Sequence, residues 1–136
     1  MKNLTNKDLV KLYYEELWNK KNKEFIDILF DDNISFHGSL GVEANGKEEF
    51  ASYMDMIHEG IPSLFHSIID MVVDNNSIAV RALYTGKHTG KLFEYEASDN
   101  RILYNGATFF KFSENKIKSV WVLGDLNTLV KQLQKA

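Results

Sequence analysis

Asp125 is the carboxylate whose sequence surroundings could make it a proton-transfer group. If Lys116 and Lys118 of KIKSVWVLGD face water, the two-residue period of a strand puts Ile117, Ser119, Trp121, Leu123 and Asp125 on the opposite side. A carboxyl beside apolar side chains loses hydration, which penalises its charged form and raises its pKa toward neutrality. Asp125 also immediately precedes LNTLVKQL, where it could cap a helix instead. His88 ends the alternating set Ile78, Val80, Ala82, Tyr84 and Gly86, so it points inward with Tyr84 and could donate to a substrate carbonyl or serve as a satisfied structural histidine. His37, behind Phe36, has the same two readings, and His58 and His66 carry weaker signals.

The remaining chemistry is narrowed by elimination. With no cysteine, thiolate nucleophiles, disulfides and cysteine-ligated metals are excluded. The four histidines show no HxH, HxxxH or HExxH spacing, so no metal site is expected. GxSxG, GxxxxGK[ST] and GxGxxG motifs are missing, which leaves elbow-type acyl hydrolysis, nucleotide hydrolysis and dinucleotide binding without support. Arg81 falls on the outer set of its strand. Phe36, Tyr53, Tyr84, Tyr104 and Trp121 are read as core or as the wall of a pocket, together with His37.

Positioning these groups requires helices first and strands afterwards. Thr5 and Asp8 open an amphipathic helix over residues 5–20, with Leu9, Leu12, Tyr13 and Leu17 on one face. A shorter helix carries Phe25, Ile26 and Leu29, a short strand covers 34–37, and GKEEFASYMDMIHEGI forms a third helix stopped by Gly60 and Pro62. The period then becomes strand-like over 64–73, 77–88, 101–112 and 116–124, with hairpin turns at 74–76 and 113–115. LNTLVKQLQ closes the chain with a helical turn or two. Segregated helices and a largely antiparallel sheet predict one α+β domain over 1–136, with helices covering one face of a bent sheet that forms a cup for a small apolar organic molecule.

A net charge of −3 and scattered lysines argue against nucleic-acid binding. No run approaches the ~18 apolar residues of a membrane span, and the polar start MKNLTNKDLVK leads to a cytoplasmic expectation.

Two segments, RALYTGKHTGKLF and NGATFFKFSENKIKSVWVLGDLNTLVKQL, supported by DDNISFH, GKEEFASYM and IPSLFHSIIDMVVDNNSIAVR, resemble the SnoaL-like polyketide cyclases of the nuclear transport factor two-like superfamily. The resemblance implies a cone-shaped curved antiparallel sheet wrapped by N-terminal helices, a homodimer, and no cofactor or metal. It implies Asp125, four residues after Trp121, as the catalytic acid/base, His88 as the motif histidine, and His37 as an early pocket position. The implied reaction is cofactor-independent proton transfer on a carbonyl compound, as in an intramolecular aldol ring closure, an isomerisation or a dehydration. The second reading is a non-catalytic ligand-binding or dimerisation module of the same fold. The segment FEYEASDNR replaces the glycine- and proline-rich loop of the family, so substrate shape does not carry over.

Overall fold

The computed structural model describes residues 4–39 and 41–134. Helix α1 (Asn6–Leu12) opens on a reciprocal cap: the Asp8 amide donates to Thr5 Oγ1 at 3.1 Å, and the Thr5 amide donates to Asp8 Oδ2 at 3.0 Å. The expected continuous helix then changes pitch, because Tyr13–Asn19 is a π-helical segment. A wider turn lets Tyr13, Tyr14, Leu17 and Trp18 all face inward, where they are buried. Helix α2 (Phe25–Leu29), strand β1 (Phe30–His37), strand β2 (Glu43–Asn45) and helix α3 (Lys47–Gly60) follow. Four long strands come next: β3 (Phe65–Asp74), β4 (Ser77–Lys87), β5 (Arg101–Ser113) and β6 (Lys116–Gly124), and helix α4 (Leu126–Leu133) ends the chain.

The strands form one curved, unclosed sheet in the order β2-β1-β6-β5-β4-β3. All pairings are antiparallel except β1 with β6, which is parallel. The N-terminal helices pack on the inner face, and α4 lies against β5, where the Gln132 side chain accepts from the Leu103 amide and donates to its carbonyl. On the inner face Phe30 and Phe36 meet Phe50 of α3 at ring distances of 4.8 and 5.0 Å, and Phe110 of β5 meets Tyr13 at 5.1 Å. Each such fully buried aromatic side chain stabilises the fold by roughly 1.5–3 kcal/mol.

One irregularity redirects the expected site. Along β5 and β6, Lys111 pairs with Ser119 but Phe112 pairs with Ile117, so Lys118 is an extra residue. Such a bulge inverts the facing of everything beyond it. Val120 and Val122 therefore point into the core, while Trp121 and Leu123 are exposed on the outer face. The strict alternation that turned Trp121 inward, toward the core or pocket wall, does not hold past the bulge. On β4, which lacks an irregularity against β5, Ile78, Val80, Ala82, Tyr84 and His88 are buried as the alternation predicts. Arg81 lies outside and makes a two-pronged contact with Asp70 Oδ2 at 2.8 and 2.9 Å.

Candidate functional site

Between the π-helical segment, α3 and the inner face of the sheet lies a cavity with about 40 Å³ of room for water-sized molecules. Tyr13, Tyr14, Tyr53, Tyr84 and Tyr104 all line it, with Trp18, His66, Thr108, Ser39 and Phe36. Of the residues expected to contact substrate, Tyr53, Tyr84, Tyr104 and Phe36 are thus brought together here. Glycines make room for two of these rings: a Cβ on Gly106 would lie 2.5 Å from the Tyr84 ring, and one on Gly38 would lie 2.7 Å from the Tyr53 hydroxyl.

Burial raises the pKa of all five phenols, so each remains a protonated hydrogen-bond donor at neutral pH. Clustering of the phenols adds to the rise at four of them, and at Tyr84 the nearby Thr108 hydroxyl opposes it. His66 is the only imidazole in the wall. Its ring sits 4.8 Å edge-on to Tyr84, 5.0 Å from Trp18 and 5.6 Å from Tyr14. Desolvation, with the charge of His58 as a smaller cause, pushes its pKa down to about 3, which keeps it neutral. Asn19, at the end of the π-helical segment, fixes its position: the His66 amide donates to Asn19 Oδ1 at 2.7 Å, and Asn19 Nδ2 donates to the His66 carbonyl at 2.9 Å.

Three atoms of this wall are buried and make no hydrogen bond of good geometry among the described residues, the Tyr14 hydroxyl, Trp18 Nε1 and His66 Nδ1; the Thr108 side chain lies near the first and the Tyr13 side chain near the second, and His66 Nδ1 has neither. Leaving such a group unsatisfied costs about 1–3 kcal/mol. Three around one space mark a place built to take hydrogen-bonding atoms from something else, water or ligand.

The three residues expected to carry the chemistry do not converge on this space. Asp125 is exposed and caps α4: its Oδ1 accepts the Thr128 amide at 3.2 Å and its Oδ2 accepts the Thr128 hydroxyl at 2.7 Å. These bonds, the hydroxyl first, lower its pKa, opposite in direction to the elevation expected beside apolar neighbours. A Cβ on its chain neighbour Gly124 would lie 2.8 Å from Ser39 Oγ and 3.5 Å from the Tyr104 ring, two residues that line the cavity. His37 lies on the outer face, stacked on Trp121 with ring centroids 5.5 Å apart and 9° between planes, and 3.5 Å from Glu43. His88 is fully buried, but it holds the 89–100 segment rather than lining the cavity. Its Nδ1 accepts the Ser98 amide at 3.2 Å and lies 2.8 Å from the Ser98 hydroxyl, and its backbone pairs with Asp99 and Asn100.

Tyr14 and Trp18 carry no signal as site residues in the sequence, Tyr13 reads there only as part of a helix face, and His66 reads as one of the two weaker histidines. Among the described residues no three His, Asp or Glu side chains gather as metal ligands, and no helix is long and apolar enough to cross a membrane.

A curved sheet closed on one side by N-terminal helices around a small aromatic-lined cavity defines an α+β cone. The sequence model of the SnoaL-like polyketide cyclases matches residues 8–133, and the chain belongs to that family. Its backbone is similar to a protein assigned as a SnoaL-like polyketide cyclase from Jannaschia sp. CCS1, with a TM-score of 0.88 and 16% identity over 94% of this chain and 90% of the other. It is also similar to TsrD from Streptomyces laurentii, at 0.85 and 17% over 98% and 99%, and to a protein assigned as a polyketide cyclase from Bacillus cereus ATCC 10987, at 0.78 and 21% over 96% and 85%. At these identities the structural likeness establishes the fold. No curated protein sequence matches the chain.

Proposed function

We propose that the inner cavity binds a compact, largely apolar carbonyl compound and moves a proton on it without a cofactor. The observation that carries this reading is the set of unpartnered buried atoms on Tyr14, Trp18 and His66. Tyr14 O–H and Trp18 Nε1–H are donors suited to a carbonyl oxygen and, more strongly, to the enolate oxygen formed when an α-proton leaves. With its proton on Nε2, His66 offers the Nδ1 lone pair as the base. Burial makes imidazolium formation unfavourable in the empty site, but an enolate formed beside it supplies the opposite charge that stabilises it. The remaining phenols, Tyr13, Tyr53, Tyr84 and Tyr104, orient the substrate and keep the site poor in water.

Asp125 as the acid/base is a second reading, supported by the closeness of Gly124 to Ser39 and Tyr104. It requires the carboxylate to leave Thr128 and turn toward the cavity. Under the non-catalytic alternative the same cavity holds a ligand and releases it unchanged.

A thermal-shift screen of small ketones, enones and β-dicarbonyl compounds is the first experiment, because a ligand specific for the native state raises its melting temperature. Hits should be taken up with loss or exchange of an α-proton, followed by NMR in D₂O. Binding without exchange would favour a carrier, and a complete lack of hits among carbonyl compounds would remove the reading.

The same proposal includes a homodimer. Leu103, Phe109, Trp121 and Leu123 are 41–56% exposed together on the outer face of β5 and β6. Phe109 and Trp121 touch there, at a ring distance of 6.0 Å; exposed apolar side chains of this kind mark an association site, and a second copy offers the same ones. Sedimentation should give a dimer for the parent chain and a monomer for Phe109→Glu; a monomeric parent would contradict it.

A further inference from the structure

The inner cavity, with room of about 40 Å³, is far smaller than the ~300–1,000 Å³ typical of small-molecule sites. It is also not isolated. On one side it abuts a groove of about 520 Å³ between β2, α3 and the 92–95 turn, and on the other a groove of about 460 Å³ between α1 and β3. One residue, Tyr53, lines both the cavity and the first groove, while Tyr14 and His66 line both the cavity and the second.

The two partitions differ in how firmly they are held. Tyr14 is 1% exposed, wedged against Tyr13, His66 and Phe110, and His66 is tied by both backbone groups to Asn19. Tyr53 is half-buried, with its ring packed on Phe36 at 5.0 Å and its hydroxyl lying over Gly38. The hydroxyl is deep enough for burial to raise its pKa, so the ring spans the wall from groove to cavity. Its space exists because residue 38 has no Cβ. Beyond it, Ala44, Met56 and Phe93 offer an apolar bed. Phe93 is held there by a tight turn closed by reciprocal backbone bonds of 2.9 Å between Leu92 and Tyr95, and it takes a left-handed conformation at φ 53°.

We infer that Tyr53 is the door of the site and its size-determining residue. Rotation of its ring joins cavity and groove into one chamber, in which the reacting carbonyl end of a ligand reaches Tyr14 and His66 while an apolar arm lies on Met56 and Phe93. This deepens the proposed function and rests on it for the nature of the ligand, but not for the position of the door.

Trp18 lines the inner cavity, and Trp121, on the outer face, is the other tryptophan of the chain. In a Trp121→Phe background, quenching of Trp18 fluorescence by acrylamide therefore reports access to the cavity. Quenching should be weak in the parent and in Tyr53→Phe, which keeps the ring. It should rise at least about threefold in Tyr53→Ala, where the ring is gone, and also in Gly38→Ala, where the new methyl displaces the tyrosine. Melting curves confirm that each variant is folded, and Gly38→Ala serves if Tyr53→Ala is not. Unchanged quenching in the folded variants, or a rise confined to Asn19→Ala, would overturn the inference; the latter would put the door at the α1–β3 groove. A rise in Tyr53→Ala and Gly38→Ala with no carbonyl compound bound by any variant would uphold the door and defeat the proposed function.

Discussion

Lowering the pH from 7 to 4 should cost the fold roughly 3 kcal/mol through His66 alone. An unfolded histidine takes up its proton near pH 6.5, whereas folded His66 resists protonation until about pH 3 because its ring is buried among Trp18, Tyr14 and Tyr84. Above pH 6.5 both states are neutral and there is no penalty. Between the two values the unfolded chain binds one more proton than the native one, so stability falls by about 1.4 kcal/mol per pH unit. His58, whose pKa is also lowered by burial, acts in the same direction. The carboxylates with lowered pKa, Asp32 and Asp125, lose their contribution only near and below their ordinary value of 3.8, so the window from 6.5 to 4 isolates the histidines. For a domain with a total stability of about 5–15 kcal/mol this is a large fraction. Urea titrations at half-unit pH steps should show the slope in the parent and lose most of it in His66→Phe. A slope unchanged by that substitution would mean that His66 is solvated.

The second large effect separates the two readings of the chemistry. For any carbonyl ligand found to bind and exchange its α-proton, Tyr14→Phe should lower turnover by about 10²–10³-fold, the usual effect of removing one donor to a developing oxyanion. His66→Gln should lower it by about 10²–10⁴-fold, the usual contribution of a positioned base. Asp125→Asn should leave turnover near that of the parent and slightly lower the melting temperature, since an amide still accepts the Thr128 amide but no longer complements the helix end with charge. The reverse pattern, with Asp125→Asn inactive and His66→Gln active, would transfer the acid/base role to Asp125.

Much of the architecture was legible because local rules and tertiary packing agree. Thr5 and Asp8 cap α1, Gly60 ends α3, and the alternation of β4 carries Tyr84 and His88 inward. The site was less legible for three physical reasons. The bulge at Lys118 inverts β6, and KIKSVW contains no glycine or other local sign of it, so Trp121 reads as core or pocket wall when it is surface. On β3 the inward His66 and Ile68 alternate with outward Phe65 and Ile69, and since both sets include apolar residues the period does not tell the faces apart. The adjacent Tyr13 and Tyr14 both reach the cavity wall from a segment wound more widely than a regular helix, which a 3.6-residue pattern does not register. Asp125 is the opposite case. Its spacing from Trp121 matches the family resemblance, yet its position before LNTLVKQL equally suits the cap it forms here. β2 was missed because three residues, Glu43–Asn45, pair with β1 without any hydrophobic run of their own.

The central claim is that the inner cavity walled by Tyr14, Trp18 and His66 is where ligand binds. Side-chain nitrogen NMR of the histidines tests it most directly, because His66 reports the cavity, His37 the outer face and His88 the anchored 89–100 segment, while His58 lies against the Trp18 ring without lining the cavity. Saturation with a carbonyl compound from the thermal-shift screen should move the His66 Nδ1 resonance and leave His37 and His88 in place. A ligand that moves His37 while His66 stays unchanged would contradict the account.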